Sequence, residues 1–188
     1  MTVRQLLLMG NPLLLQPSQA VEDPTSQETR QLVTDIRDTL ESINGIGMAA
    51  PQIGVHKRVI VFCLPASRIP EGAVTQPIPW TGMVNPTIEP LGDERIMLWE
   101  RCLSLPGLYA KVPRFAHTRL SYSTTDGERI TRECRGYLSA LLQHECDHLE
   151  GTLYPHRLAD ANALAYASEV CEGGNVYQYT PEEFDGLR

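Results

Sequence analysis

The run Gln143-His144-Glu145-Cys146-Asp147-His148 constrains this chain more than any other stretch, because it demands a helix and fixes which side of it carries chemistry. On a helix advancing about 100° per residue, His148 lies only about 40° around from His144, so both imidazoles reach one metal ion. Glu145 lies about 100° round, close enough to hold a water on that ion. Cys146 falls about 200° away and is a poor candidate ligand. Asp147 flanks the ligand face and reads as a residue that orients a ring or anchors the helix through an ion pair. Alone, an H-E-x-x-H string arises by chance in on the order of one chain in a hundred. Its setting argues against chance. Tyr137, Leu138, Leu141, Leu142 and Leu149 recur at three-to-four spacing, the mark of a buried helix face, and Gly151 stands where a C-terminal stop belongs. A polar trio on such a helix is costly unless used.

The rest of the chain limits the partners. A length of 188 residues fits one domain, 1–188, with the polar stretch 173–188 as a loose tail. A net charge of -7 speaks against DNA or any nucleic-acid backbone as partner. No apolar run approaches the roughly 18 residues needed to span a bilayer, so no membrane segment is expected. The five cysteines are odd in number and scattered, which suits a reducing cytoplasm and not a disulfide framework.

Residues 12–24 read as an extended arm. A helix follows, capped by Thr25 or Ser26, with an apolar stripe of Leu32, Val33, Ile36, Leu40 and Ile43, and Asn44-Gly45 ends it. The segment 45–54 is glycine-rich and uncharged. It reads either as a tight turn or as a backbone surface that lets a ligand approach, with Gln52 offering a side-chain donor. Residues 58–64 form a strand apolar enough to be buried on both faces, and the proline-rich 65–79 a long loop. Stretches 81–91 and 94–100 read as strands flanking a Leu91-Gly92-Asp93 turn. Val112 and 118–123 continue the β character, and Asp126-Gly127 turns into a strand over 129–134. A further helix is expected over 161–170. Strands preceding one long helix give an α+β fold: antiparallel or mixed sheets packed around the H-E-x-x-H helix, with an N-terminal amphipathic helix. His56, His117 and His156 read as surface or packing residues.

Two histidines leave a divalent ion short of donors, since catalytic sites usually have three protein ligands and one open position. Downstream candidates are Glu150, His156, Glu169 and Glu172, none at the spacing of the extended zinc-peptidase motif. A zinc endopeptidase would draw on one of these. Upstream stands Cys102, after a strand and before Ser104-Leu105-Pro106-Gly107, although a free cysteine is most often a small buried hydrophobe.

Three stretches in order, Gly45-x-Gly47-x-Ala49-Ala50-x-Gln52, Glu100-x-Cys102-Leu103-Ser104 and His144-Glu145-x-Asp147-His148, resemble the three motifs of the peptide deformylases. The resemblance spans about residues 5–158. It implies a hydrolase that removes the formyl group from N-terminal formyl-methionine of new polypeptides, releasing formate. It makes Cys102, His144 and His148 the ligands of one divalent ion, Fe(II) natively and replaceable by Ni(II), Co(II) or Zn(II). It makes Glu145 the general base and acid that serves a metal-bound water, and Gln52 and the Leu103 N–H the oxyanion donors. Gly45, Ile46 and Gly47 would hold the substrate chain, with Glu100 and Arg114 as a supporting pair and Asp147 beside them. The implied partners are N-formylmethionyl peptides, with transient ribosome contact following only from that substrate. Arg101 departs from the family pattern, which has Gly. Arginine keeps the backbone carbonyl that meets the substrate's formyl-amide N–H, while its side chain would crowd the mouth or bind an acidic substrate group. Were a positive φ required there, arginine would be strained. Arg101 also leaves open a catalytically weak, peptide-binding relative.

Overall fold

The computed structural model describes residues 2–73 and 75–170; the stretch 173–188, expected to be a loose tail, lies outside the described residues. Helix α1 (Gln27–Ser42) begins where the Ser26 hydroxyl accepts the Thr29 N–H, at 3.1 Å. It ends as Asn44 turns to φ 53°, which lets Asn44 N–H and Gly45 N–H bond back to Glu41 and Leu40 carbonyls at 3.1 and 3.0 Å. The chain then runs through β1 (Gly47–Ala49), a 3-10 turn (Ala50–Ile53) and β2 (Val59–Leu64).

Strands β3 (Ile78–Pro90), β6 (His117–Ser123) and β7 (Arg129–Arg135) complete a five-stranded antiparallel sheet in the order β1-β2-β3-β6-β7. Strand β2 is buried at every position, and its alternation explains why. Val59 and Val61 pack with Ile36 and Leu40 of α1, while Ile60, Phe62 and Leu64 pack with Leu138 and Leu142 on the other face. Each such side chain, withdrawn from water, contributes about 1.5–3 kcal/mol.

The second helix, α2 (Gly136–Leu149), carries His144, Glu145 and His148. Thirteen of its 14 residues are buried, so it has no solvent face to absorb polar side chains. Gly151, at φ 67°, ends it: Gly151 and Thr152 N–H return to His148 and Asp147 carbonyls, at 3.3 and 2.9 Å. A Cβ there would lie 2.6 Å from the Leu15 backbone, so the glycine also lets the N-terminal arm cross. A smaller antiparallel sheet, in the order β4-β5-β8, combines β4 (Arg95–Cys102), β5 (Leu105–Phe115) and β8 (Leu164–Tyr166). Two antiparallel sheets with few helices make the fold α+β. Among the described residues no helix is long and apolar enough to cross a membrane.

Two details add to the sequence reading and a third differs from it. The strands either side of Leu91-Gly92-Asp93 exist, but they do not pair; β3 stays in the large sheet and β4 starts the small one. The glycine-rich segment is not only a turn, since Gly47–Ala49 pairs with β2. The helix expected over 161–170 is instead a 3-10 turn (Ala161–Ala163), β8 and one helical turn, α3 (Ala167–Val170). Leu164–Tyr166 meet the open edge of β5, pairing Leu108 with Tyr166, and ladder hydrogen bonds override the helix propensity of the alanines.

Candidate metal centre

Strand β4 alternates inward and outward, and Ile96, Leu98, Glu100 and Cys102 are the inward, buried set. The thiol and a carboxylate two residues away are thus delivered to one face, over α2. A two-residue turn, Leu103-Ser104, follows Cys102. The register then jumps from Arg101–Tyr109 to Cys102–Leu105, so residues 106–108 bulge outward, with Gly107 at φ 76°.

The Cys102 Sγ lies 3.2 Å from His148 Nε2, and one ligand atom each of Cys102, His144 and His148 falls within 4.8 Å of the others. The His144 Nδ1–H donates to Glu100 Oε2 at 2.8 Å, which leaves Nε2 as the ring's metal-facing nitrogen. Arg114 grips both Glu100 oxygens at 2.6 and 2.9 Å and reaches Asp147 at 2.6 Å. Arg157 closes the chain by donating to both Asp147 oxygens, at 3.1 and 2.7 Å. Tyr154 stacks on the His144 ring at 6.0 Å between centroids and donates its hydroxyl proton to the Leu108 carbonyl.

Gln52 is clamped from one side. Its Oε1 accepts the Ala49 N–H at 2.9 Å, which turns Nε2 toward Ser104 Oγ (3.2 Å) and Cys102 Sγ (3.6 Å). Glu145 has its Oε2 buried and, among the described residues, without a hydrogen-bond partner. Its carboxylate carbon would be 2.8 Å from a Cβ at Gly47, so only glycine lets that carboxylate lie against β1. A cleft of about 390 Å³ is lined by Gly45, Ile46 and Gly47 together with Arg101, Leu103, Pro106 and Gly107.

The electrostatics follow from these contacts. Burial works against a charged Glu100, yet Arg114 and His144 overcome it and bring its pKa down to about 2. Burial likewise opposes the Cys102 thiolate, but the two imidazoles hold its pKa well below the ordinary thiol value. For His144 burial disfavours the cation, and the adjacent Cys102 and Glu100 reverse this, holding the pKa well above its usual value. Glu145 is the exception: burial raises its pKa and the nearby histidines only partly offset that.

Cys102 with two imidazoles offers three protein donors, and the His148 Nδ1 is buried without a partner among the described residues. This is the donor count of a catalytic mononuclear site, with the cleft available for the fourth position, so the residues fit a divalent ion. Other candidates lie elsewhere. Glu150 is engaged by Arg58 at 2.7 Å, His117 by Glu133 at 2.8 Å, and His156 accepts the Leu153 N–H at 3.2 Å. Glu169 sits on α3, Glu172 lies outside the described residues, and Cys146 packs into the core. Arg101 is absent from the positive-φ residues, so its backbone is unstrained. Arg157, Tyr154 and Ser104 were not foreseen as site residues. Ser104 had a signal in its place beside Cys102; an arginine and a tyrosine in an irregular segment had none.

Fold and cluster together are those of a metal-dependent hydrolase, with Cys102, His144 and His148 placed where they could hold an ion. The sequence profile of polypeptide deformylase matches residues 3–163. The chain is 39% identical over 177 residues to peptide deformylase 1 of Nitrosomonas europaea, covering 93% of this chain and 98% of the relative. It is 42% identical over 165 residues to peptide deformylase 1 of Bordetella pertussis, covering 87% and 92%. Among solved structures it resembles the Met-Ala-Ser-bound peptide deformylase of Acinetobacter baumannii, with a TM-score of 0.75 and 31% identity over 83% of this chain and 98% of that one. It also resembles the Ehrlichia chaffeensis enzyme in complex with actinonin, with a TM-score of 0.77 and 32% identity over 87% and 92%. The chain belongs to the polypeptide deformylase family, whose members are metal-dependent enzymes acting on peptides. An endopeptidase using H-E-x-x-H alone is not favoured.

Proposed function

We propose that Cys102, His144 and His148 hold one divalent ion and that this site removes the formyl group of N-formylmethionyl peptides, releasing formate. The observation that carries the reading is the meeting of Cys102 Sγ with His148 Nε2, at 3.2 Å, together with a buried Glu145 oxygen that has no partner among the described residues. A thiolate with two imidazoles suits Fe(II) or Zn(II); Fe(II) is the native ion in this reading, and Ni(II), Co(II) or Zn(II) replaces it. When bound, such an ion polarises the formyl carbonyl and lowers the pKa of its water from about 15.7 toward 7.

The chain's own groups do the rest. Glu145 takes up the water's proton on its free oxygen and delivers it to the departing amine nitrogen. Its raised pKa moves it from the ordinary carboxylate range toward the working pH. Gln52 Nε2 and the Leu103 N–H donate to the carbonyl oxygen as charge builds there; losing one such donor costs about 2.7–4 kcal/mol in barrier. Ala49 prevents the Gln52 amide from flipping its acceptor into that position. Glu100 fixes the His144 tautomer, and Arg114 and Asp147 fix Glu100 and the helix. As the end strand of its sheet, β1 with Gly45 and Ile46 offers an edge to an extended peptide, and the Arg101 carbonyl accepts the formyl-amide N–H. Relatives solved with Met-Ala-Ser and with actinonin support a peptide in this cleft. The substrate implies a cytoplasmic enzyme that meets nascent chains, with transient ribosome contact.

Anaerobic purification with metal analysis, followed by formate release from a formyl-Met tripeptide, tests the proposal. About one equivalent of divalent metal and stoichiometric formate are expected. Internal cleavage of an unformylated peptide, or no formate from metal-loaded protein, would overturn it.

A further inference from the structure

The short 3-10 turn that follows α2, Tyr154–Arg157, sends two side chains toward the metal centre. Pro155 lies within it, and His156 Nδ1 accepts the Leu153 N–H at 3.2 Å, so the turn is fixed locally. Arg157 donates to both Asp147 oxygens. Tyr154 goes to the His144 ring. It is 1% exposed and packs in one cluster with Cys102, Leu105 and Leu153. Its ring stands against the face of the imidazole, with centroids 6.0 Å apart and 27° between planes. Glu100 meets the same imidazole at its edge, on Nδ1, at 2.8 Å. A hydrogen bond at one edge leaves a ring free to rock about the line of that bond, which swings Nε2. A flat neighbour on the face blocks the rocking. The Tyr154 hydroxyl in turn donates to the Leu108 carbonyl at 2.9 Å. Leu108 closes the bulge of residues 106–108, which have no partners in β4, and Gly107 within it has a φ of 76°. Pro106 and Gly107 line the cleft. One side chain therefore touches the His144 ring and the foot of a stretch that lines the cleft.

We infer that Tyr154 is a positioning residue with two separable roles: its ring holds the His144 imidazole in the attitude that binds the ion, and its hydroxyl tethers the bulge that lines the cleft. This rests on the deformylase reading and adds to it a residue outside the three sequence motifs. The ring acts on metal affinity, because it limits where His144 Nε2 points. The hydroxyl acts on peptide binding, because the bulge lacks ladder partners in β4 and its glycine does little to stiffen it. Neither group touches the reacting atoms.

The experiment measures Zn(II) affinity by competition with a chromogenic chelator, and kcat and KM for formate release from formyl-Met-Ala-Ser, in wild type, Tyr154→Phe and Tyr154→Leu. Tyr154→Phe keeps the ring and removes the tether. It should hold zinc within about twofold of wild type and raise KM about two- to tenfold, the worth of one neutral hydrogen bond, with a smaller effect on kcat. Tyr154→Leu removes both and should weaken zinc binding about tenfold or more, the loss typical of groups that orient a metal ligand. A tyrosine that only fills space would lower the melting temperature of both metal-free variants without separating zinc affinity from KM. Zinc affinity unchanged in Tyr154→Leu, or lost equally in Tyr154→Phe, would overturn the role of the ring. An unchanged KM in Tyr154→Phe would overturn the role of the hydroxyl. Should Tyr154→Leu fail to fold, Tyr154→Met, which refills the space with a flexible chain, takes its place. No formate from metal-loaded wild type would overturn the deformylase reading instead; zinc competition would still decide the ring, and calorimetric binding of the uncleaved peptide the hydroxyl.

Discussion

The floor of the cleft and the polar layer beneath it hold carboxylates that are equally buried and oppositely disposed. Glu100 in the lower layer and Glu145 in the floor are each 8% exposed. Glu100 has a bidentate arginine and a histidine N–H, and its pKa falls to about 2. Glu145 has a buried oxygen with no partner among the described residues, and its pKa rises. Burial is therefore not what sets the charge; the partners are. The lower layer is a closed chain, His144–Glu100–Arg114–Asp147–Arg157, in which every charge is answered. The floor is left unanswered on one atom, and that is where a proton must come and go.

Replacing the floor carboxylate separates the two layers most sharply. Glu145→Gln should lower kcat for formate release by about 10²–10⁴-fold, the range for loss of a positioned acid–base group, with metal content unchanged. Loss of metal along with activity would mean that Glu145 supports the donors and not the proton transfer. Breaking the lower layer should do the reverse. Arg114→Met removes the bidentate partner of Glu100 and one of the two arginines on Asp147, and should cost about 3–5 kcal/mol of stability, read by denaturant unfolding. It should also weaken metal binding by about 10–100-fold, because His144 loses its oriented partner. A variant that unfolds normally but binds metal loosely would locate the network's role in orientation alone.

The two layers were also unequally legible in the sequence. The floor was readable because helical geometry is regular: one-turn spacing placed His144 and His148 together and Cys146 apart. Cys102 obeys a period too, sharing the inward face of β4 with Glu100, but Pro106 and Gly107 interrupt the strand pattern of its hairpin partner. They sit in the bulge where the register shifts and the ladder to β4 is interrupted, so a residue without an N–H is tolerated there. Strand β8 was misread because three residues with middling propensities took their structure from the β5 edge. Arg157 was invisible for a different reason. Its role depends on which buried carboxylate it meets, and no local period encodes that.

Acid should expose the lower layer in the metal-free protein. Glu100 has its folded pKa depressed from 4.5 to about 2. Its contribution is then fully present above pH 4.5 and is lost as pH falls through about 2. The stability at stake is roughly 3 kcal/mol. Unfolding free energy measured between pH 5 and 2 should fall steeply, and Glu100→Gln should flatten that slope. A wild-type slope unchanged by the substitution would assign acid sensitivity to some other carboxylate.

The smallest effect has the opposite sign. A carboxylate whose folded pKa is raised binds its proton more tightly in the native state, so keeping Glu145 charged at neutral pH costs stability. Glu145→Gln removes that charge without removing volume. The metal-free variant should therefore melt slightly higher than wild type at pH 7–8, and the difference should shrink as acid protonates wild-type Glu145. A substitution that nearly abolishes turnover would then stabilise the protein, as expected where a floor residue is kept unpaired for its chemistry. An unchanged or lowered melting temperature at neutral pH would show that the carboxylate is solvated in a way that already relieves its burial, and the contrast between the two layers would narrow to Glu100 alone.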